Sequence, residues 1–160
     1  MRFKKIILTI IILGIILVPV LVYYFDRSVP TQKHIYESNW DIDIPSNYKS
    51  IYQSQDKHDF QGKGNRYTIF TTNEIDNSNL ITLQKSSKNI QVCNGNSTAL
   101  NHNEIEEFVR AVTSALNIPE DREPKFTHYY LWQKFIQYGK TLIVLYFPDR
   151  NQVFFIESLI

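Results

Sequence analysis

Residues 6–25 run for twenty positions without a charge, and most of them are Ile, Leu or Val. At 1.5 Å per residue, a helix of that length spans about 30 Å, the thickness of a bilayer's hydrocarbon core. So long an apolar run is more than a soluble helix needs, and the expectation is a transmembrane helix. Gly14 and Pro19 fall inside it, and both residue types are more frequent in membrane spans than in soluble helices. Tyr23, Tyr24 and Phe25 close the run with rings suited to the headgroup boundary.

A cleaved secretory signal would share the positive start made by Arg2, Lys4 and Lys5. Here the apolar run is longer than a signal's hydrophobic region and ends in Val-Tyr-Tyr-Phe-Asp, without a small-x-small cleavage site. No Cys follows it to carry a lipid. The expected arrangement is an uncleaved signal anchor, with residues 1–5 a cytoplasmic tail and residues 26–35 a polar spacer containing Pro30. The three cations precede the span, while Asp26 and Arg27 cancel after it. The positive-inside bias then sends residues 26–160 to the far side of the cell membrane.

Beyond the anchor about 130 residues remain, enough for one domain, expected over residues 36–160. All sixteen acidic residues and fourteen of the seventeen basic ones lie past residue 25, so the displayed part carries −2. Without a basic excess, it is not expected to bind nucleic acid. Cys93 is the single cysteine and forms no internal disulfide. Asn96-Ser97-Thr98 matches a glycosylation sequon, and Asn94-Gly95-Asn96-Ser97 reads equally as a polar turn.

Trp40, Ile42 and Ile44 alternate with Asp41 and Asp43, which predicts a strand ending at Pro45. Further extended pieces are predicted over 48–53, 66–72, 80–84 and 89–93, with a glycine-containing loop over 56–65. The clearest element is a helix. Asn103 is its expected cap, Glu104, Glu106 and Glu107 its first-turn acids, and Ile105, Phe108, Val109, Val112 and Leu116 its apolar face, with Pro119 ending it. Three strands follow, over 129–137, 141–147 and 152–160, divided by Tyr138-Gly139-Lys140 and Pro148-Asp149-Arg150-Asn151. The run 142–147 is apolar on both faces and belongs in mid-sheet. The fold class is α+β: an antiparallel sheet with one main helix packed on a face.

Residues 40–70 hold Ile-Pro-Ser, Asp-x-His-Asp-Phe-x-Gly-x-Gly and Arg-Tyr-Thr elements. In this the chain resembles small single-pass membrane-anchored proteins of unknown function from Gram-positive bacteria. The resemblance implies a location and a domain size and brings no catalytic residue.

The search for chemistry returns no signature. His58, Asp59, His102 and His128 are metal-ligating types without the spacing of any known site, and His34 falls in the spacer. Asp41 with Asp43, and Glu106 with Glu107, have structural explanations as an outward strand face and a helix start. Residues 61–66 could cradle an anion on backbone N–H groups but do not open a helix. No cofactor is indicated. Two readings stay open. One is a binding module for an envelope or extracellular protein, such as an immunity or accessory protein, using an aromatic sheet surface with Tyr129, Trp132 and Tyr138. The other is a surface hydrolase, possible only if His58, Asp59, His102 and His128 converge on a metal. A pilin-like subunit is disfavoured because the anchor has no acidic residue.

Protease added to intact cells is expected to digest residues 26–160. A domain cut only after the cells are opened would reverse the orientation.

Overall fold

The computed structural model describes residues 13, 15–19, 31–56, 64–72, 83 and 89–159. The chain divides into two compact units, Met1–Ile35 and Tyr36–Ile160. In the first, residues 13 and 15–19 are helical, and Leu13, Ile15, Ile16, Leu17 and Val18 are exposed. The rest of the span expected over 6–25 lies outside the described residues, and no helix among those described is long and apolar enough to cross a membrane.

Thr31 opens helix α1 (Gln32–Trp40). Its hydroxyl accepts from the His34 N–H at 3.3 Å and its carbonyl from the Ile35 N–H at 3.0 Å, the bonding of an N-cap. Residues 32–35, within the expected spacer over 26–35, are thus helical. The strand predicted over 40–44 is corrected. Trp40 ends the helix, Asp41 turns the chain at φ 47°, and Ile42 makes only a single bridge. The Asp43 N–H then donates to the Leu83 carbonyl at 2.8 Å. The alternation survives as burial, with Trp40, Ile42 and Ile44 inside and Asp41 and Asp43 outside. A period of two reports which side chains face a core, and that holds whether or not the backbone joins a ladder.

Six strands follow: β1 (Lys49–Gln55), β2 (Gly64–Thr71), β3 (Gln91–Asn96), β4 (Leu131–Gln137), β5 (Lys140–Phe147) and β6 (Gln152–Leu159). They form one sheet in the order β1-β2-β6-β5-β4-β3, with every neighbouring pair antiparallel. The expected α+β class with an antiparallel sheet is what the chain adopts. β5 and β6 lie inside the sheet and are buried on both faces, as the apolar run over 142–147 predicts. Tyr138 and Gly139 have φ of 50° and 79°, the two positive values that a two-residue hairpin turn requires.

Helix α2 (His102–Ala115) packs on one face, laying Ile105, Val109 and Val112 on Tyr67, Ile143, Phe154 and Ile156. It starts two residues earlier than the sequence suggests. Asn101 holds the cap position without a side-chain bond, so Glu106 falls beyond the first turn. Asn117, at φ 51°, turns the chain out ahead of Pro119. The opposite face is covered by Tyr36 and Trp40 from α1 with Ile42, Ile44 and Leu83, packed over Phe70, Phe155 and their neighbours. Each face therefore carries a helix, one more than expected.

Under α1 the core is polar at one point. Glu157 is 0% exposed, and its two oxygens take the Arg66 guanidinium at 2.8 Å and the Trp40 indole N–H at 2.6 Å. The Tyr36 hydroxyl lies beside this group, 3.2 Å from Thr68 Oγ1 and 3.3 Å from the Phe155 carbonyl. Removing Arg66 leaves the Glu157 carboxylate in the interior without its cation, at a cost of about 3–5 kcal/mol. Arg66→Met is expected to lower unfolding free energy by that amount in urea melts. The pair Arg66→Met with Glu157→Met should cost less than the single change, and equal losses would show that the stranded charge is not the cause.

Candidate functional site

The three aromatic candidates do not form one patch. Tyr129 and Tyr138 are 54% and 79% exposed, but they flank opposite ends of β4, about 20 Å apart at some 3.4 Å per residue. Trp132 is buried, so its ring is not part of an exposed surface, and with Gly95 it also lines the pocket described below. Its indole crosses β3 at Gly95, where a Cβ would stand 2.4 Å from Cζ2, and its N–H donates to the Asn96 carbonyl at 3.2 Å. Glycine is required there by that close approach.

The opposite side of the same strands holds a concave site. Strand alternation brings Asn94, Asn96, Leu131, Gln133, Val144 and Tyr146 to the α1 face of β3, β4 and β5, where they line a pocket of ≈ 250 Å³. Its lining contains no charged residue. The Gln133 side-chain oxygen and the Tyr146 hydroxyl are buried, and among the described residues neither has a hydrogen-bond partner. Burial, followed by the neighbouring Tyr48, pushes the Tyr146 hydroxyl up to about 12. It stays protonated at neutral pH and can donate or accept. The Gln133 oxygen only accepts. This arrangement suits a neutral group with an apolar body and a hydrogen-bond donor at its tip.

The histidines divide between two places. His102 Nδ1 lies 2.5 Å from the Tyr130 hydroxyl, and its Nε2 lies 3.0 Å from Glu106 Oε1. Burial, then Glu106, pushes Tyr130 up to about 12. Glu106 also lines a cleft of ≈ 460 Å³ with Arg110, Glu120, Glu123 and Lys125, a wall of mixed charge. His128 Nδ1 meets Asp149 at 2.6 Å and its Nε2 meets Arg150 at 3.0 Å, so both ring nitrogens are occupied. His58 and Asp59 lie outside the described residues. Among the described residues, no three His, Cys, Asp or Glu side chains group to hold a metal ion.

Two other candidates have structural roles. The Asn65 N–H of the glycine-containing loop is taken by the Asp56 carboxylate at 2.8 Å, which closes that donor to an external anion. The sequon residue Asn96 bonds the Thr98 N–H and hydroxyl through its own amide oxygen. Asn94, Gly95 and Asn96, read from the sequence as a polar turn, are the end of β3, and the turn follows at Ser97 and Thr98.

No protein-family model, curated protein or solved structure matches this chain.

Sequence reasoning passed over Gln133 and Tyr146. The available signal was a polar residue between Leu131 and Phe135 at inward strand positions. Tyr146→Phe removes a buried hydroxyl without a partner and is expected to raise stability by about 1 kcal/mol at neutral pH. The alkaline limb gives a second readout. A tyrosine held near 12 in the fold and near 10 in the unfolded chain contributes stability below pH 10 that is lost as pH rises through 12. Tyr130→Phe and Tyr146→Phe should each flatten the stability decline over that window, and unchanged slopes would reassign it to other groups.

Proposed function

We propose that the protein is a binding module held in the cell membrane by residues 6–25, with its α+β domain on the extracytoplasmic side. There it engages an envelope or extracellular protein, as an accessory or immunity protein does. The observation that carries the binding role is the pocket on the α1 face of β3–β5, apolar in its walls and holding two buried polar atoms without partners among the described residues. A site that served only the fold would be more stable with Phe at 146 and an apolar residue at 133. Polar groups that weaken the empty state are typical of places where a ligand supplies the missing bonds. Support for the anchor is the charge-free run with its flanking cations. The hydrolase alternative has no converging cluster among the described residues in its favour.

Photo-crosslinkers placed in living cells at Asn94 and Leu131, beside the pocket, and at Ser114, on the opposite helix, test this reading. The expected result is one species captured from the first two positions, absent from the third, and lost when Val144→Trp fills the pocket. Equal capture from Ser114, or capture indifferent to the filled pocket, would overturn it.

A further inference from the structure

The two edges of the sheet are built differently. β1 carries Lys49 and a register shift between Ser50 and Tyr52, both of which spoil an edge for further pairing. β3 reads Gln-Val-Cys-Asn-Gly-Asn, with no charge, no proline and an unbroken register against β4. Its backbone has a definite orientation. The Ser97 N–H donates to the Tyr130 carbonyl at 3.0 Å, in step with the β3–β4 register. In an antiparallel ladder Ser97, Gly95 and Cys93 then turn their backbone groups toward β4, and Asn96, Asn94 and Val92 turn theirs outward. The Trp132 indole takes the Asn96 carbonyl. Among the described residues, no backbone bond reaches the outward N–H and C=O groups of Val92 and Asn94.

We propose that β3 accepts an extended segment of a partner polypeptide as a seventh strand, and that a long side chain of that segment enters the adjoining pocket. This rests on the binding reading above and specifies its ligand. Unpaired N–H and C=O groups on alternate residues match the spacing of another strand, and strand addition at an open edge is a recurrent mode of peptide recognition. The pocket begins at Asn94 and Asn96, the same residues that form the edge. An added strand lies about 4.8 Å beyond β3, and so about 10 Å from β4, which carries Gln133, and about 14 Å from β5, which carries Tyr146, and only a long side chain reaches into the pocket. The uncharged lining and the acceptor on Gln133 select Trp, Tyr or Gln, which combine reach with a neutral donor. A second copy of this chain fits less well. Its own β3 would offer only Val92, Asn94 and Asn96 on that face, all too short to fill the pocket.

The test uses the full chain in lipid nanodiscs and a phage-displayed library of random dodecapeptides. Selected peptides are expected to carry Trp, Tyr or Gln in an extended stretch and to slow amide exchange at Val92 and Asn94 about tenfold or more. Asn94→Pro removes an N–H that β4 does not use, which an edge strand tolerates, and should weaken these peptides about tenfold or more. The exchange measurement is made on the unaltered protein, so it decides the matter even if the proline variant misfolds. Binding that survives Asn94→Pro with unprotected amides but is lost in Val144→Trp would overturn strand addition and leave the binding reading standing. Failure to select any peptide, or peptides indifferent to both variants, would overturn both. Slow exchange at Val92 and Asn94 in the free protein, or self-association abolished by Asn94→Pro, would overturn the inference by giving the edge another occupant.

Discussion

Glu157 offers one carboxylate oxygen to the sheet and the other to the layer above it. Arg66 faces it directly across the β2–β6 register, and Trp40 reaches down from the end of α1. Sliding β6 by one residue would move the carboxylate to the other face, among the side chains packed under α2, where Phe154 and Ile156 now sit. That exchange is prohibitive for a charge with no partner. The buried pair thus fixes the parity of the central strands. Parity in turn decides which side chains of β4 and β5 turn toward α1 and which toward α2. Its net contribution to stability is small after desolvation, and its main effect is to exclude alternative pairings.

The arrangement leaves the molecule uneven from one side to the other. The described cover of the α1 face is Tyr36, Trp40, Ile42, Ile44 and Leu83, and the pocket opens at the β3–β5 end of that face. On the α2 face the same strands are closed by the Trp132 ring, which Gly95 admits across β3. Close packing on one side of an edge strand and an apolar recess on the other give β3 two unlike surfaces. The mixed-charge cleft lined by Glu106 lies on the α2 side, and His102, bonded to Glu106, also contacts Tyr130 and so ties the helix start to the residue just before β4.

Periodicity made most of the domain legible. The helix over 102–115, the meander from β4 to β6 and the central place of β5 each rest on a long, regular apolar pattern, and such patterns are dominated by burial. α1 was missed because nine residues with two buried rings give little helical signal. The period-two run that begins at Trp40 outweighed it. The Thr31 cap was readable in retrospect as a hydroxyl three residues ahead of His34. The pairing of Arg66 with Glu157, 91 residues apart, has no local signature. For the same reason, Gln133 and Tyr146 could not be seen to share a pocket. Exposed aromatic residues were expected from composition, which cannot distinguish the buried Trp132 from the exposed Tyr138.

The two unpartnered atoms in the pocket have a consequence for how long the protein survives in the cell. They lower the stability of the empty domain and not of an occupied one, so occupancy and folding are thermodynamically linked. Proteases act on the fraction of molecules that opens, and that fraction would shrink where a bound group supplied the missing bonds. Abundance would then follow the presence of the occupant. On the proposed binding role, a cell that lacked the occupant would clear the protein without any dedicated regulator.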